Sequence, residues 1–322
     1  MRRLIGAATA AVVGAALALL QGCGLLTEHA SVSALTWSPD GYVYFVHNVG
    51  EAVGEVWRVR QGQRAEAFVP TFPGACGSDT ASVDVLQAFG ATGLAVGLWC
   101  PLSTDQLYTM DLRTRVASIR LSAEDVRGVT LDASGLRGYV AQHDGNCASV
   151  LRFSDGAVHD TGARVASLGG EWRLSEAYGM SARDGGNQGC PGTGRAVSPA
   201  LTADGRTVAM LVSTQPGPGG VNAPLSMLYY WKVGFLDAAG DTVSLIGPLL
   251  RGVTHIAVSP DGSKVALIHS GDEDGLSVMD TASGATRQVT TKGWVGDAAF
   301  SPDGRTIAYS SDGTSIKFVQ VP

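Results

Sequence analysis

Val253 to Thr290 reads VTHIAVSPDGSKVALIHSGDEDGLSVMDTASGATRQVT, and this stretch decides the fold. An apolar strand, Val253 to Val258, enters the turn Ser259-Pro260-Asp261-Gly262 and leaves as a second strand, Lys264 to Ile268. A polar loop follows, then a third strand (Leu276 to Met279), the small-residue turn Asp280-Thr281-Ala282-Ser283-Gly284 and a fourth strand, Thr286 to Thr290. Proline fixes φ at the second turn position, and glycine takes the left-handed one. The pattern is that of a type I turn with a glycine bulge, a common hairpin connection. Four short strands joined by polar turns make one blade of a β-propeller.

Working outward, the same turn recurs. Ser38-Pro39-Asp40-Gly41 and Ser301-Pro302-Asp303-Gly304 are identical copies; Thr202-Ala203-Asp204-Gly205 and Asp132-Ala133-Ser134-Gly135 are degenerate ones. A further unit without the proline turn runs Ser82 to Ala88, Leu94 to Trp99, Gln106 to Asp111 and Val116 to Leu121. Val56 to Val59, Ser149 to Phe153 and Gly234 to Asp237 supply third strands elsewhere. Repeats of this kind are read before single motifs. They count to an all-β fold, a six-bladed β-propeller of four-stranded antiparallel blades.

The order of strand, S-P-D-G turn, strand, strand ending in Asp and strand ending in Val-Thr resembles the repeat of TolB-like (PD40-type) propellers. The likeness is strongest over Ala257–Thr290 and Ala298–Phe318, whereas the Gly-His and Trp-Asp marks of WD-type repeats are absent. The resemblance implies a scaffold that binds protein partners, and a scaffold of this type hosts many functions. The sixth unit stops at Pro322 without a fourth strand. Aligning Ser38 with Ser301 sets Leu26-Thr27 opposite Val289-Thr290, so an N-terminal strand is expected to close the ring.

The N-terminus sets the compartment. Met1-Arg2-Arg3 is basic, Leu4 to Leu20 is uncharged and apolar, and Leu20-Gln21-Gly22-Cys23 resembles a bacterial lipobox. Residues 1–22 are therefore read as a lipoprotein signal peptide, with Cys23 acylated and residues 23–322 forming the propeller. The expected location is the extracytoplasmic side of the bacterial cell membrane, held by the lipid anchor. Loss of Arg2 and Arg3 takes the formal net charge from −6 to −8. An acidic exported chain is a poor partner for nucleic acid or for anionic lipid headgroups.

Cys76, Cys100, Cys147 and Cys190 remain, and an even count in an exported protein reads as disulfides with three possible pairings. In the repeat map Cys76 enters the second blade and Cys100 ends its second strand. Cys147 and Cys190 stand in the same relation across the third and fourth blades. The expected pairs are Cys76–Cys100 and Cys147–Cys190, on the face opposite the S-P-D-G turns. The long loop 168–194 between the third and fourth blades, carrying Trp172, and a second loop from Ser213 to Pro224 are placed on that face. With them go Trp99 and three histidines near second-strand ends, His47, His143 and His269, as a candidate binding face. Trp37, Trp57, Trp231 and Trp294 are expected to pack between blades.

The chain carries no G-x-S-x-G elbow, H-E-x-x-H or P-loop, and no cofactor, metal or catalytic residue is assigned. The function expected is a monomeric, membrane-anchored binding module that holds a protein, peptide or envelope ligand on the loop-rich face or in the central channel. The alternative is a small propeller enzyme, a metal-dependent lyase or lactonase, with its site at the channel mouth.

Overall fold

A computed structural model describes residues 30–49, 54–76, 81–101, 103–123, 126–144, 147–159, 164–165, 195–216, 229–237, 242–269, 274–290 and 293–322. They form six sheets set around a ring. Blade 1 holds β1 (Ala30–Trp37), β2 (Val43–Val49), β3 (Glu55–Val59) and β4 (Glu66–Ala67). Blade 2 holds β5 (Ser82–Phe89), β6 (Gly93–Trp99), β7 (Asp105–Asp111) and β8 (Ala117–Ala123). Blade 3 holds β9 (Val126–Leu131), β10 (Arg137–Asp144), β11 (Cys147–Ser154) and β12 (Ala157–His159). Blade 4 begins with an outlying piece, β13 (Arg164–Val165), before β14 (Arg195–Leu201), β15 (Thr207–Pro216), β16 (Tyr229–Asp237) and β17 (Thr242–Leu250). Blade 5 holds β18 (Val253–Val258), β19 (Lys264–His269), β20 (Gly275–Asp280) and β21 (Thr286–Gln288). Blade 6 holds β22 (Val295–Phe300), β23 (Thr306–Ser311) and β24 (Ser315–Gln320).

The recurring turn folds as its residues dictate. Gly41, Gly135, Gly205, Gly262 and Gly304 all have φ between 70° and 87°, and each donates its N–H to the carbonyl three residues earlier at 2.8–3.0 Å. Ser259 Oγ donates to Asp261 Oδ1 at 2.6 Å and accepts the Lys264 N–H at 2.9 Å. Ser301 does the same with Asp303 and Thr306. These bonds hold the Asp261 and Asp303 carboxyls below the usual carboxylate range. In these two copies the motif is therefore a self-satisfied polar knot; in the first copy Asp40 accepts from Tyr42 N–H and Tyr44 Oη–H instead.

Each blade is buried on both faces, so its strands read as near-continuous apolar runs. On β15, Val208, Met210 and Val212 pack toward blade 3, while Ala209 and Leu211 pack toward blade 5. Apolar clusters fill all six interfaces. The innermost strands β1, β5, β9, β14, β18 and β22 touch in that order, and β22 returns to β1 to close the ring.

Two blades depart from four antiparallel strands. β13 adds a fifth strand to blade 4 and runs parallel to β17, an outcome of the long connection between blades 3 and 4. Blade 6 has three strands among the described residues. The expected closing strand at Leu26-Thr27, the loop 168–194 and Cys23 lie outside them. Trp37 and Trp57 pack at the blade 6–blade 1 interface and Trp231 between blades 4 and 5. Trp294 departs from expectation: it is 45% exposed, its ring lying over Gly296 and Gly313, where any β-carbon would strike it.

Candidate functional site

Every inner strand carries a β-bulge. The ladder slips between Ser33 and Thr36, Val83 and Val85, Val126 and Gly128, Val197 and Ala200, Val253 and His255, and Val295 and Ala298. A bulge re-aims side chains and sharpens local twist. Here it redirects inner-strand side chains at one level of the ring, with Ala34 and Ser198 held at φ 45° and 54°. Sequence reading missed these bulges, because one extra residue hardly disturbs a short apolar run; Pro199 and Gly296 are the local marks of two of them.

Close to this level, side chains stitch blade to blade. Thr36 Oγ1 accepts the Ala88 N–H at 2.8 Å, Gln87 Oε1 accepts Leu131 N–H at 2.9 Å, and Thr130 Oγ1 accepts Leu201 N–H at 2.9 Å. Ser198 Oγ accepts Ile256 N–H at 3.0 Å. At the seam between the last and first blades the acceptor is a carboxylate: Asp297 Oδ2 takes the Leu35 N–H at 2.5 Å and Oδ1 the Ala298 N–H at 2.7 Å. Burial pushes the Asp297 carboxyl above its usual range, against the opposing charge of His255 and those two amides.

The strands enclose a channel of about 770 Å³. Asp84, Arg127, His255 and Asp297 line it, and Arg127 Nη1 stands 3.7 Å from Asp84 Oδ2. On the turn side its lining includes Pro39, Ala133, Ala203, Pro260 and Pro302, the second residues of the five recurring turns, and Ala91 of the blade 2 turn. Neighbouring turns bond directly, Ala203 N–H to Pro260 O at 3.0 Å. That mouth is lined mainly by Pro and Ala.

The opposite face carries the predicted residues that the structure describes. Cys76 and Cys100 are joined, with Cα atoms 5.4 Å apart, and Trp99 beside them is 42% exposed. Cys147 begins β11, and its expected partner Cys190 lies outside the described residues, as does Trp172. His47 is turned inward at 5% exposure, its ring 4.5 Å from Trp57. Burial lowers its pKa against the pull of Glu55. His269 ends β19 with Nε2 2.7 Å from Ser277 Oγ. His143 lies near the end of β10. These positions stand on separate blades, and among the described residues no three His, Cys, Asp or Glu side chains gather to hold a metal ion. Loss of the bridge in Cys76→Ser is expected to cost about 3 kcal/mol by loop entropy, measured as a drop in denaturation midpoint under non-reducing conditions; an unchanged midpoint would show that the bridge adds nothing.

Comparison with solved structures decides the architecture. TolB from Acinetobacter baumannii matches with a TM-score of 0.52 at 14% identity, over 95% of this chain and 67% of that one. A putative TolB from Agrobacterium tumefaciens matches with a TM-score of 0.55 at 14% identity, over 90% of each chain. The fold is that of the TolB propellers. A complex of KlAtg21 with the coiled coil of AgAtg16 also matches in shape, with a TM-score of 0.51 at 11% identity, over 91% of this chain and 81% of that one. The family described as WD domain, G-beta repeat matches residues 285–318, despite the absence there of the Trp-Asp pair. A search of curated proteins finds no match. No helix among the described residues is long and apolar enough to cross a membrane.

Proposed function

We propose that this chain is a lipid-anchored, extracytoplasmic binding module that holds a protein or peptide of the bacterial envelope on the face opposite the S-P-D-G turns. The observation that carries this reading is the asymmetry of the two faces. One mouth is lined by short Pro and Ala turns, two of which bond directly through Ala203 N–H and Pro260 O. The other presents Trp99 and Trp294 at 42% and 45% exposure, one beside a disulfide and one propped on glycines. Supported indoles serve well as anchors, because they bring large apolar area at little entropic cost.

The anchor is assigned to Cys23 after removal of residues 1–22, and residues 23–322 act as one monomeric propeller. The TolB-type fold supports a scaffold rather than a particular chemistry. A neighbour in fold, KlAtg21, is found in complex with the coiled coil of AgAtg16, which is in keeping with a protein partner.

The test uses the tagged protein crosslinked in intact envelopes. Trp99→Ala and Trp294→Ala are expected to weaken partner capture while the melting temperature stays within a few degrees. Cys23→Ala is expected to leave the membrane fraction or to remain unprocessed. Undiminished capture by both Trp variants would refute the assigned face, and normal membrane retention of Cys23→Ala would refute the anchor.

A further inference from the structure

The outer rim of blades 1 and 2 gathers positive charge on a chain whose net charge is −6. The guanidinium of Arg58 lies 4.3 Å from the ring centre of Tyr42 and 5.4 Å from that of Phe68. Arg60 lies 4.0 Å above Tyr42, and Arg115 4.8 Å above Phe68. Phe68 is buried and stands edge-on to Tyr44 at 5.1 Å, so the platform itself is fixed. Arg64, Arg113 and Arg120 are exposed on the same rim segments.

The carboxylates nearby are already engaged. Glu66 pairs with Arg58 at 2.6 Å. Asp40 accepts from Tyr42 N–H and Tyr44 Oη–H. Asp111 accepts from Thr92 Oγ1–H and from the N–H groups of Arg113 and Thr114. Arg58 is thus held in structure; Arg60 gives one Nη2–H to the Asp40 carbonyl at 2.9 Å but is exposed, as is Arg115, so both keep N–H groups toward solvent. A guanidinium stacked by its face keeps its N–H edge for a planar or tetrahedral anion.

Apolar surface lies in the same strip. Val69 is 71% exposed and Val116 57%. The backbone of Thr71, two residues after Val69, pairs in parallel with Val116 and bonds both Arg115 O and Ala117 N–H. Exposed valines set among arginines suit neither a free anion nor a wholly polar partner. They suit the boundary between headgroups and acyl chains, where cations meet phosphate and apolar side chains go one step deeper.

We propose that this rim is a docking face for an anionic bilayer, with Arg60 and Arg115 taking lipid phosphates and Val69 and Val116 entering the interface beside them. Net charge hid the site, because blades 1 and 2 are themselves net acidic and the arginines gather only on residues 58–64 and 113–120. Contact through the outer rim leaves the tryptophan-bearing face open sideways to a partner. The inference does not depend on the partner reading.

Vesicles test it with the full chain, comparing phosphatidylcholine alone with phosphatidylcholine containing phosphatidylglycerol at about 30%, by co-sedimentation. The leader segment contributes equally to every variant, so differences between variants isolate the rim. Arg60→Gln/Arg115→Gln is expected to lose roughly thirtyfold of the phosphatidylglycerol-dependent affinity. Val69→Ser/Val116→Ser is expected to weaken binding to both vesicles. Should the double arginine variant fold poorly, Arg60→Gln alone keeps the test, since that side chain is exposed. Unchanged phosphatidylglycerol binding in these folded variants would overturn the proposal. So would equal displacement of the native chain by inorganic phosphate at matched ionic strength, which would mark a soluble-anion site.

Discussion

Asp297→Ala lowers the stability of the ring by about 2–4 kcal/mol, whereas Asp297→Asn stays within about 1 kcal/mol of the native chain at neutral pH. Alanine leaves the N–H groups of Leu35 and Ala298 without their acceptor at the seam where the last blade meets the first. Asparagine keeps one acceptor and removes a half-buried charge. The pH dependence separates the effects. The folded-state pKa of Asp297 is raised by burial above the ordinary value of 3.8, so the folded chain binds this proton more tightly than the unfolded one. Its contribution is fully present below the unfolded value and is lost as pH rises through the folded one. His255 opposes this from β18, and Asp84 and Arg127 line the same channel. The native chain should therefore gain on Asp297→Asn as pH falls from 7 toward 4 in paired melting curves. A gap that is flat or moves the other way would show that the carboxylate is held ionised.

Gly138→Ala is the second large effect, a loss of about 3 kcal/mol or more from overpacking. A β-carbon at Gly138 would sit 2.0 Å from the carbonyl oxygen of Thr130 and 2.8 Å from the Cα of Leu131. Both obstacles are backbone, so β9 itself must move. Thr130 also holds blade 4 through Leu201 N–H, and the displacement reaches the channel wall. Urea denaturation checks this. A midpoint unchanged from the native chain would mean that β9 shifts freely and that the stitched ring is looser than described.

The legible part of the fold was the part written in local chemistry. Ser259-Pro260-Asp261-Gly262 announces its turn, because its Ser and Asp side chains find their partners within five residues. The strands around it were placed within a residue or two at most ends. The Cys76–Cys100 pair followed from which face each strand end reaches. What stayed hidden depends on contacts between blades far apart in sequence. Asp297 looks like any strand-edge acid until Leu35, at the other end of the chain, donates to it. Trp294 was expected between blades, since no sequence pattern shows that Gly296 and Gly313 together make a shelf for its ring. The arginine rim joins residues 58–69 to 113–120 through two aromatic side chains, and only the blade geometry brings them together.

The central claim is that recognition occurs on the tryptophan-bearing face and not on the turn face. A photo-crosslinking amino acid placed singly at Trp99 and Trp294, and at Asp261 and Asp303 on the opposite side, tests it in intact cells. The account predicts adducts with a common envelope partner from Trp99 and Trp294 and none from Asp261 or Asp303. Adducts confined to Asp261 and Asp303 would contradict it.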